Sequence, residues 1–190
     1  MTNLDANAPL VLDVRDLGRR AGAMKTKSFT VNLAEDLGIG VLNVSQGSEV
    51  EFDLRLESVM EGVLVTGTAL VTVTGECSRC LEPLSYDLEV DLQELYEYPD
   101  TDSRGREIEA GFTEEDLPKL QDDLLDLESL LRDAVVLALP VQPLCNTDCL
   151  GLCVECGQNL NEQPEHEHDL VDPRWSALVD LTKLEPRNQD

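Results

Sequence analysis

Residues 50–57 read Val50, Glu51, Phe52, Asp53, Leu54, Arg55, Leu56, Glu57, with every even position apolar and every odd one charged. A side-chain period of two is that of a strand with one face in a core and the other in water. The next run, Val63–Thr74, places Val63, Val65, Ala69, Val71 and Val73 on one face and mostly Thr and Leu on the other, with Gly67 in the middle, where a bulge is expected. Tyr86, Leu88, Val90 and Leu92 then alternate with Asp87, Glu89, Asp91 and Gln93, a third strand. The connections, residues 60–62 and 76–83, are short enough to favour an antiparallel meander.

Outward from these strands the organisation loosens. Residues 1–9 are polar and are expected to be disordered, and Leu10–Val14 reads as a short entry strand. Glu94–Glu128 carries 13 acids against 3 bases in 35 residues and is read as an acidic loop. Asp126 then caps a helix whose apolar stripe is Leu127, Leu130, Leu131, Ala134, Val135 and Ala138, and Pro140 ends it. The expected fold is α+β: an antiparallel β-meander packed by one or two helices within a core domain of residues 10–144. A Cys/His-rich zinc-knuckle segment (145–170) and a C-terminal helix (171–185) follow. In that helix Asp172 caps, Pro173 takes the first position, and Trp175, Leu178, Leu181 and Leu184 form the apolar face, against either the chain's own domain or a partner groove.

With 14 Lys and Arg against 39 Asp and Glu over 190 residues, the formal charge is −25. Such a field argues against capture of nucleic acid by global charge and in favour of a basic partner. The longest apolar run, Ala134–Leu139, is far short of the roughly 20 residues of a membrane span. The amino-terminal stretch carries no charged and apolar export pattern, so a cytoplasmic address is expected. Arg15, Arg19, Arg20, Lys25 and Lys27 make one local basic patch, either a solvated loop or a contact for RNA phosphate.

In a cytosolic setting thiols stay reduced, so six cysteines are read as metal ligands before disulfides. Cys77 and Cys80 form one Cys-x2-Cys knuckle at a hairpin tip, and Cys153 and Cys156 form another. Cys145 and Cys149 lie just past the helix, and the only two histidines are His166 and His168. Thiolates at this spacing converge on one ion at about 2.3 Å. Six Cys and two His suggest two tetrahedral zinc sites: Cys77, Cys80, Cys145 and Cys149, then Cys153, Cys156, His166 and His168. A ribbon joining Cys77 and Cys80 to Cys153 and Cys156 is the rival partition. Glycine-rich phosphate loops and nucleophile elbows are absent, so no catalytic residue and no small-molecule substrate is expected.

The segments Glu76-Cys77-Ser78-Arg79-Cys80-Leu81, Cys145 through Asn161, and Asp172-Pro173-Arg174-Trp175 resemble the YceD family, also called large ribosomal RNA subunit accumulation protein. The resemblance covers roughly residues 10–185, and residues 54–62 look like its actinobacterial branch. Where this chain has His166 and His168, relatives often carry a Cys-x-Cys pair, which implies preserved ligand character. The resemblance implies a non-enzymatic role in 23S rRNA accumulation and large-subunit assembly. The charge then favours a basic ribosomal protein or a large-subunit precursor as the direct partner, met by the acidic loop, with rRNA contacted indirectly. Direct rRNA binding through the basic patch is the alternative, and a zinc-dependent RNA hydrolase a remote one.

Overall fold

In the computed structural model, which describes residues 4–99 and 117–168, the alternating stretch lies within strand β5 (Glu49–Ser58). Chain order among the described residues is β1 (Val11–Asp13), a 3-10 turn (Arg15–Leu17), β2 (Met24–Asn32), β3 (Leu37–Ile39), β4 (Leu42–Val44), β5, β6 (Gly62–Glu76), β7 (Pro83–Glu97), β8 (Leu124–Asp126) and helix α1 (Glu128–Ala138). The meander is present: β5 pairs antiparallel with β6 from Val50↔Val71 to Ser58↔Val63, and β6 with β7 from Gly62↔Glu97 to Glu76↔Pro83. Its inner face holds Val50, Phe52, Leu54, Leu56, Val63, Val65, Ala69, Val71, Val73, Val90, Leu92 and Tyr96, all buried.

Three sequence expectations are corrected. The register runs unbroken through Leu54↔Gly67↔Leu92, so Gly67 makes no bulge. Its role is close approach, since a Cβ there would strike the Asp53 carbonyl oxygen. The second half of the basic stretch is strand, not loop: β2 pairs with β5 from Met24↔Glu57 to Asn32↔Glu49. β3 and β4 form a hairpin whose second strand joins the far end of β6 through Leu42↔Gly75 and Asn43↔Thr74. β6 therefore carries β5 and then β4 along one edge, and β7 along the whole of the other. Finally, the acidic stretch is partly structured. β7 continues to Glu97, and β8 pairs with β1 through Val11↔Asp126, Leu12↔Leu125 and Asp13↔Leu124; residues 100–116 lie outside the described residues.

Helix α1 closes the open side of the sheet. Leu127, Leu131, Val135 and Leu139 are buried, with Leu130 and Ala134 packed beside them, whereas Ala138 faces out. The Asp126 carboxylate accepts the Glu128 N–H at 2.8 Å, and the Tyr96 hydroxyl donates to the Asp126 carbonyl at 2.6 Å, so β7 and the helix start are tied at one residue. The outer face of the sheet is acidic: Glu49, Glu51, Asp53 and Glu57 on β5 and Asp87, Glu89 and Asp91 on β7 flank β6, with Arg55 the one base on those strands' outer face. Residues 5–11 are held by short turns, the Asp5 carboxylate accepting the Asn7 N–H at 2.9 Å. The C-terminal helix expected over 171–185 lies outside the described residues.

Candidate metal centres

The end of β6 and the start of β7 are joined by the turn 77–82. The Cys77 N–H donates to the Glu82 carbonyl and the Leu81 N–H to the Cys77 carbonyl, both at 2.9 Å. Closing so tightly puts Leu81 in the left-handed region at φ 61°. The turn is pinned to the chain leaving α1: the Ser78 N–H donates to the Pro143 carbonyl at 2.8 Å, the Leu152 N–H to the Arg79 carbonyl at 3.1 Å, and the Arg79 guanidinium to the Cys149 carbonyl at 2.8 Å.

These bonds bring Cys77 and Cys80 against Cys145 and Cys149. The Sγ atoms of Cys77 and Cys149 are 3.8 Å apart, those of Cys80 and Cys145 3.6 Å, and all four lie within 4.8 Å of one another. A tetrahedral ion with thiolates at about 2.3 Å has an edge of about 3.8 Å, so the quartet matches a closed site. Cys77, Cys80 and Cys149 are buried, and Leu84, Leu144 and Leu152 pack around them. Amides point at three of the sulfurs: Arg79 N–H to Cys77 at 3.5 Å, Asn161 Nδ2 to Cys149 at 3.4 Å and Asn146 Nδ2 to Cys145 at 3.7 Å. Asn161 is itself fixed, its Oδ1 accepting the Leu150 N–H at 2.8 Å and its Nδ2 donating to Asn159 Oδ1 at 3.0 Å.

The thiols are set apart electrostatically. Burial opposes ionisation of Cys77, but the backbone N–H groups of Cys80, Arg79 and Cys145 outweigh it and bring the thiol to about 6. The Asn161 amide lowers Cys149. Cys145 is pushed up to about 12, chiefly by its hydrogen bond with Cys149 and then by burial. For Cys80 the Glu82 backbone pulls down, yet burial and Cys77 raise it. Four sulfurs this close cannot all ionise unaided, and a divalent cation removes that repulsion. The donor set fits a metal.

The second quartet repeats the turn in a different setting. The Cys153 N–H donates to the Gln158 carbonyl at 2.8 Å and the Gly157 N–H to the Cys153 carbonyl at 2.9 Å, with Gly157 at φ 75°. Cys153, Cys156, His166 and His168 bring their ligand atoms within 4.8 Å of one another. Cys156 Sγ is 3.1 Å from His166 Nε2 and 3.2 Å from His168 Nε2, and the two Nε2 atoms are 2.8 Å apart. That spacing is tighter than the about 3.3 Å edge of a zinc–imidazole tetrahedron. Cys156 and His168 are exposed, Cys153 and His166 half-buried. The backbone N–H groups of Glu155 and Cys156 hold the Cys153 thiol down at about 6.

The ribbon partition is corrected, because Cys77 and Cys80 gather with Cys145 and Cys149 and not with the second knuckle. The basic patch lies against carboxylates of its own domain. Arg15 pairs with Asp13 at 3.6 Å, Arg19 with Asp123 at 2.8 Å while stacking on Tyr98, and Lys25 with Asp16 at 3.2 Å. Lys27 donates to the Asp13 carbonyl at 2.8 Å, and Arg20 is exposed. Sequence reasoning gave no site role to Asn159, Asn161, Asn146 or Arg79. Asn is the ordinary residue of turns, so nothing in the spacing marks it as a partner of sulfur.

A family model described as "Large ribosomal RNA subunit accumulation protein YceD" matches residues 65–182, a span that holds both knuckles and the histidine pair. The chain belongs to the YceD family. An uncharacterised protein of Mycobacterium tuberculosis is 43% identical over 176 residues, covering 92% of this chain and 82% of its own length. Another from Mycobacterium leprae is 39% identical over 175 residues, 92% of this chain and 78% of that protein. A maize protein named "Large ribosomal RNA subunit accumulation protein YCED homolog 1, chloroplastic" is 25% identical over 131 residues, 57% of this chain and 41% of the maize protein. No solved structure matches. The family's name supports a part in ribosome biogenesis. Among the described residues no helix is long and apolar enough to cross a membrane.

Proposed function

We propose that this protein is a zinc-stapled, non-enzymatic factor for assembly of the large ribosomal subunit, acting by binding a basic ribosomal protein or a precursor particle that displays one. The observation that carries the reading is the acidic outer face of the β5–β6–β7 sheet. There Glu51 and Glu89 flank Leu70, and Asp53 and Asp91 flank Thr68. These like charges face one another across β6 and repel, and a cationic partner relieves that repulsion as it docks. The basic patch, by contrast, spends most of its charge on Asp13, Asp16 and Asp123, which weakens it as an RNA surface. Zinc is the ion that suits a four-thiolate quartet and a quartet of two thiolates and two imidazoles alike. With four protein donors in each set, both suit structural sites rather than a hydrolytic centre with an open position.

The test is affinity purification of the tagged full-length chain with and without RNase. Ribosomal proteins of the large subunit should survive RNase and be lost in a Glu51→Gln, Asp53→Asn, Glu89→Gln, Asp91→Asn variant. Loss of all ribosomal proteins on RNase treatment would overturn the protein-partner reading in favour of rRNA. Depletion of the protein should lower large-subunit rRNA relative to small-subunit rRNA, and unchanged rRNA would remove the assembly role.

A further inference from the structure

The two quartets have the same turn and different surroundings, and the difference bears on how each would hold an ion. The first joins distant chain: Cys77 meets Cys149 across 72 residues, and the contact seats the β6–β7 turn on the segment that leaves α1. Cys77, Cys80 and Cys149 are buried beneath Leu84, Leu144 and Leu152, Cys145 alone is exposed, and amides of Arg79, Asn146 and Asn161 point at the sulfurs of Cys77, Cys145 and Cys149. Outer hydrogen bonds of this kind hold ligands in place and are worth about 10- to 100-fold in metal affinity. An ion there leaves only if the turn parts from the helix exit. The second quartet is local, Cys156 and His168 being 12 residues apart, and two of its ligands are exposed. Two neutral imidazoles replace two thiolates, which lowers the negative charge that holds a cation. The paired Nε2 atoms, 2.8 Å apart, must separate to admit a tetrahedral ion, and an exposed loop lets them do so at little cost.

We infer that Cys153, Cys156, His166 and His168 form an exchangeable Zn(II) site, one that gains and loses its ion while the buried four-cysteine site stays loaded and the domain stays folded. The first ion is part of the fold. The second reports the free zinc around the protein and sets how residues 162–168 lie against the Cys153–Cys156 turn. The inference rests on the zinc reading above and goes past it by giving the two ions different lifetimes.

The experiment uses the full chain prepared in zinc-sufficient medium and a chromophoric zinc chelator in excess. Release should be biphasic, about one equivalent per phase, with rates differing by about 100-fold. A His166→Ala, His168→Ala variant should lose the fast phase and keep the slow one, with its near-UV circular dichroism unchanged. Refilling the once-released protein with Co(II) should give the absorption of a two-thiolate site rather than a four-thiolate one, which keeps the assignment testable even if cysteine variants fail to fold. A single release rate for both equivalents, or a fast phase that persists in the histidine variant, overturns the inference and leaves the zinc reading intact. Zinc below about 0.3 per chain in the starting protein, with thiols reduced, sinks both.

Discussion

The knuckle at Cys77–Cys80 and the knuckle at Cys153–Cys156 are the same object locally. In each, the first cysteine's carbonyl accepts from the residue four positions on, its N–H donates to the residue five positions on, and a left-handed residue follows the second cysteine. What separates them is everything beyond the turn. The first is buried, bridges the sheet and the helix exit, and has amides aimed at its sulfurs; the second lies on a surface loop and completes itself with histidines a short distance along the chain. Spacing dictates how a pair of thiolates is presented, whereas the packing around the pair decides whether an ion there stabilises the whole domain or one loop.

Removing one ligand from each centre separates the two most directly. Cys77→Ser should lower unfolding free energy by about 4 kcal/mol or more, the range of lost metal sites, while His168→Ala should stay within about 0.5 kcal/mol. Denaturant melts of both variants test this, and equal losses would erase the distinction. The next largest effect is chemical. In metal-stripped protein at pH 7, half-buried Cys153, held at about 6, is mostly thiolate, whereas Cys145, pushed to about 12, is almost all thiol although it is the more exposed of the two. Thiolate is the nucleophile, so iodoacetamide should modify Cys153 at least about 100-fold faster, and the Cys153 rate should rise from pH 5 to pH 7 through a midpoint near 6. Peptide mass spectrometry resolves the two positions.

Smaller differences are expected at the outer hydrogen bonds and at the two turns. Asn161→Ala removes the amide on Cys149 and should weaken zinc binding at the first centre by about tenfold while leaving the second unchanged, as read by competition with a calibrated chelator. Leu81 and Gly157 hold equivalent left-handed positions, but only Gly157 is free of the Cβ penalty of about 1 kcal/mol. Leu81→Gly should therefore stabilise the protein by up to about 1 kcal/mol, since a side chain that is 58% exposed contributes little packing, and Gly157→Ala should destabilise by a similar amount. A thermal melt of each decides the sign.

Much of this architecture is legible in the sequence, for physical reasons that also mark the limits. β5, β6 and β7 announce themselves because one face meets a core and the other meets water, so composition alternates along each strand. The α1 stripe and its Asp126 cap are readable on the same ground. β2 is not, because Lys25 and Lys27 occupy positions of inward parity. Their stems cover the sheet margin while their ammonium groups reach Asp16 and the Asp13 carbonyl, and a period-two pattern written in lysine does not look apolar. β3, β4 and β8 have three residues each, too few for a period to show. Gly67 reads as a bulge only because a sequence cannot distinguish a glycine that bends a strand from one that lets a neighbouring carbonyl approach. For the candidate centres, the ligand types and spacing are in the sequence, but the asparagines and Arg79 that aim hydrogen at sulfur become visible only once the chain is folded around them.

Those same two lysines carry a further consequence. Among the described residues β2 ends the sheet, with no strand on its outer side, and such a margin invites another chain to add itself. A newcomer pairing there would have to desolvate two ammonium groups at its inner margin, one of which is held by an aspartate. At this border the two lysines raise the cost of pairing one sheet margin against another.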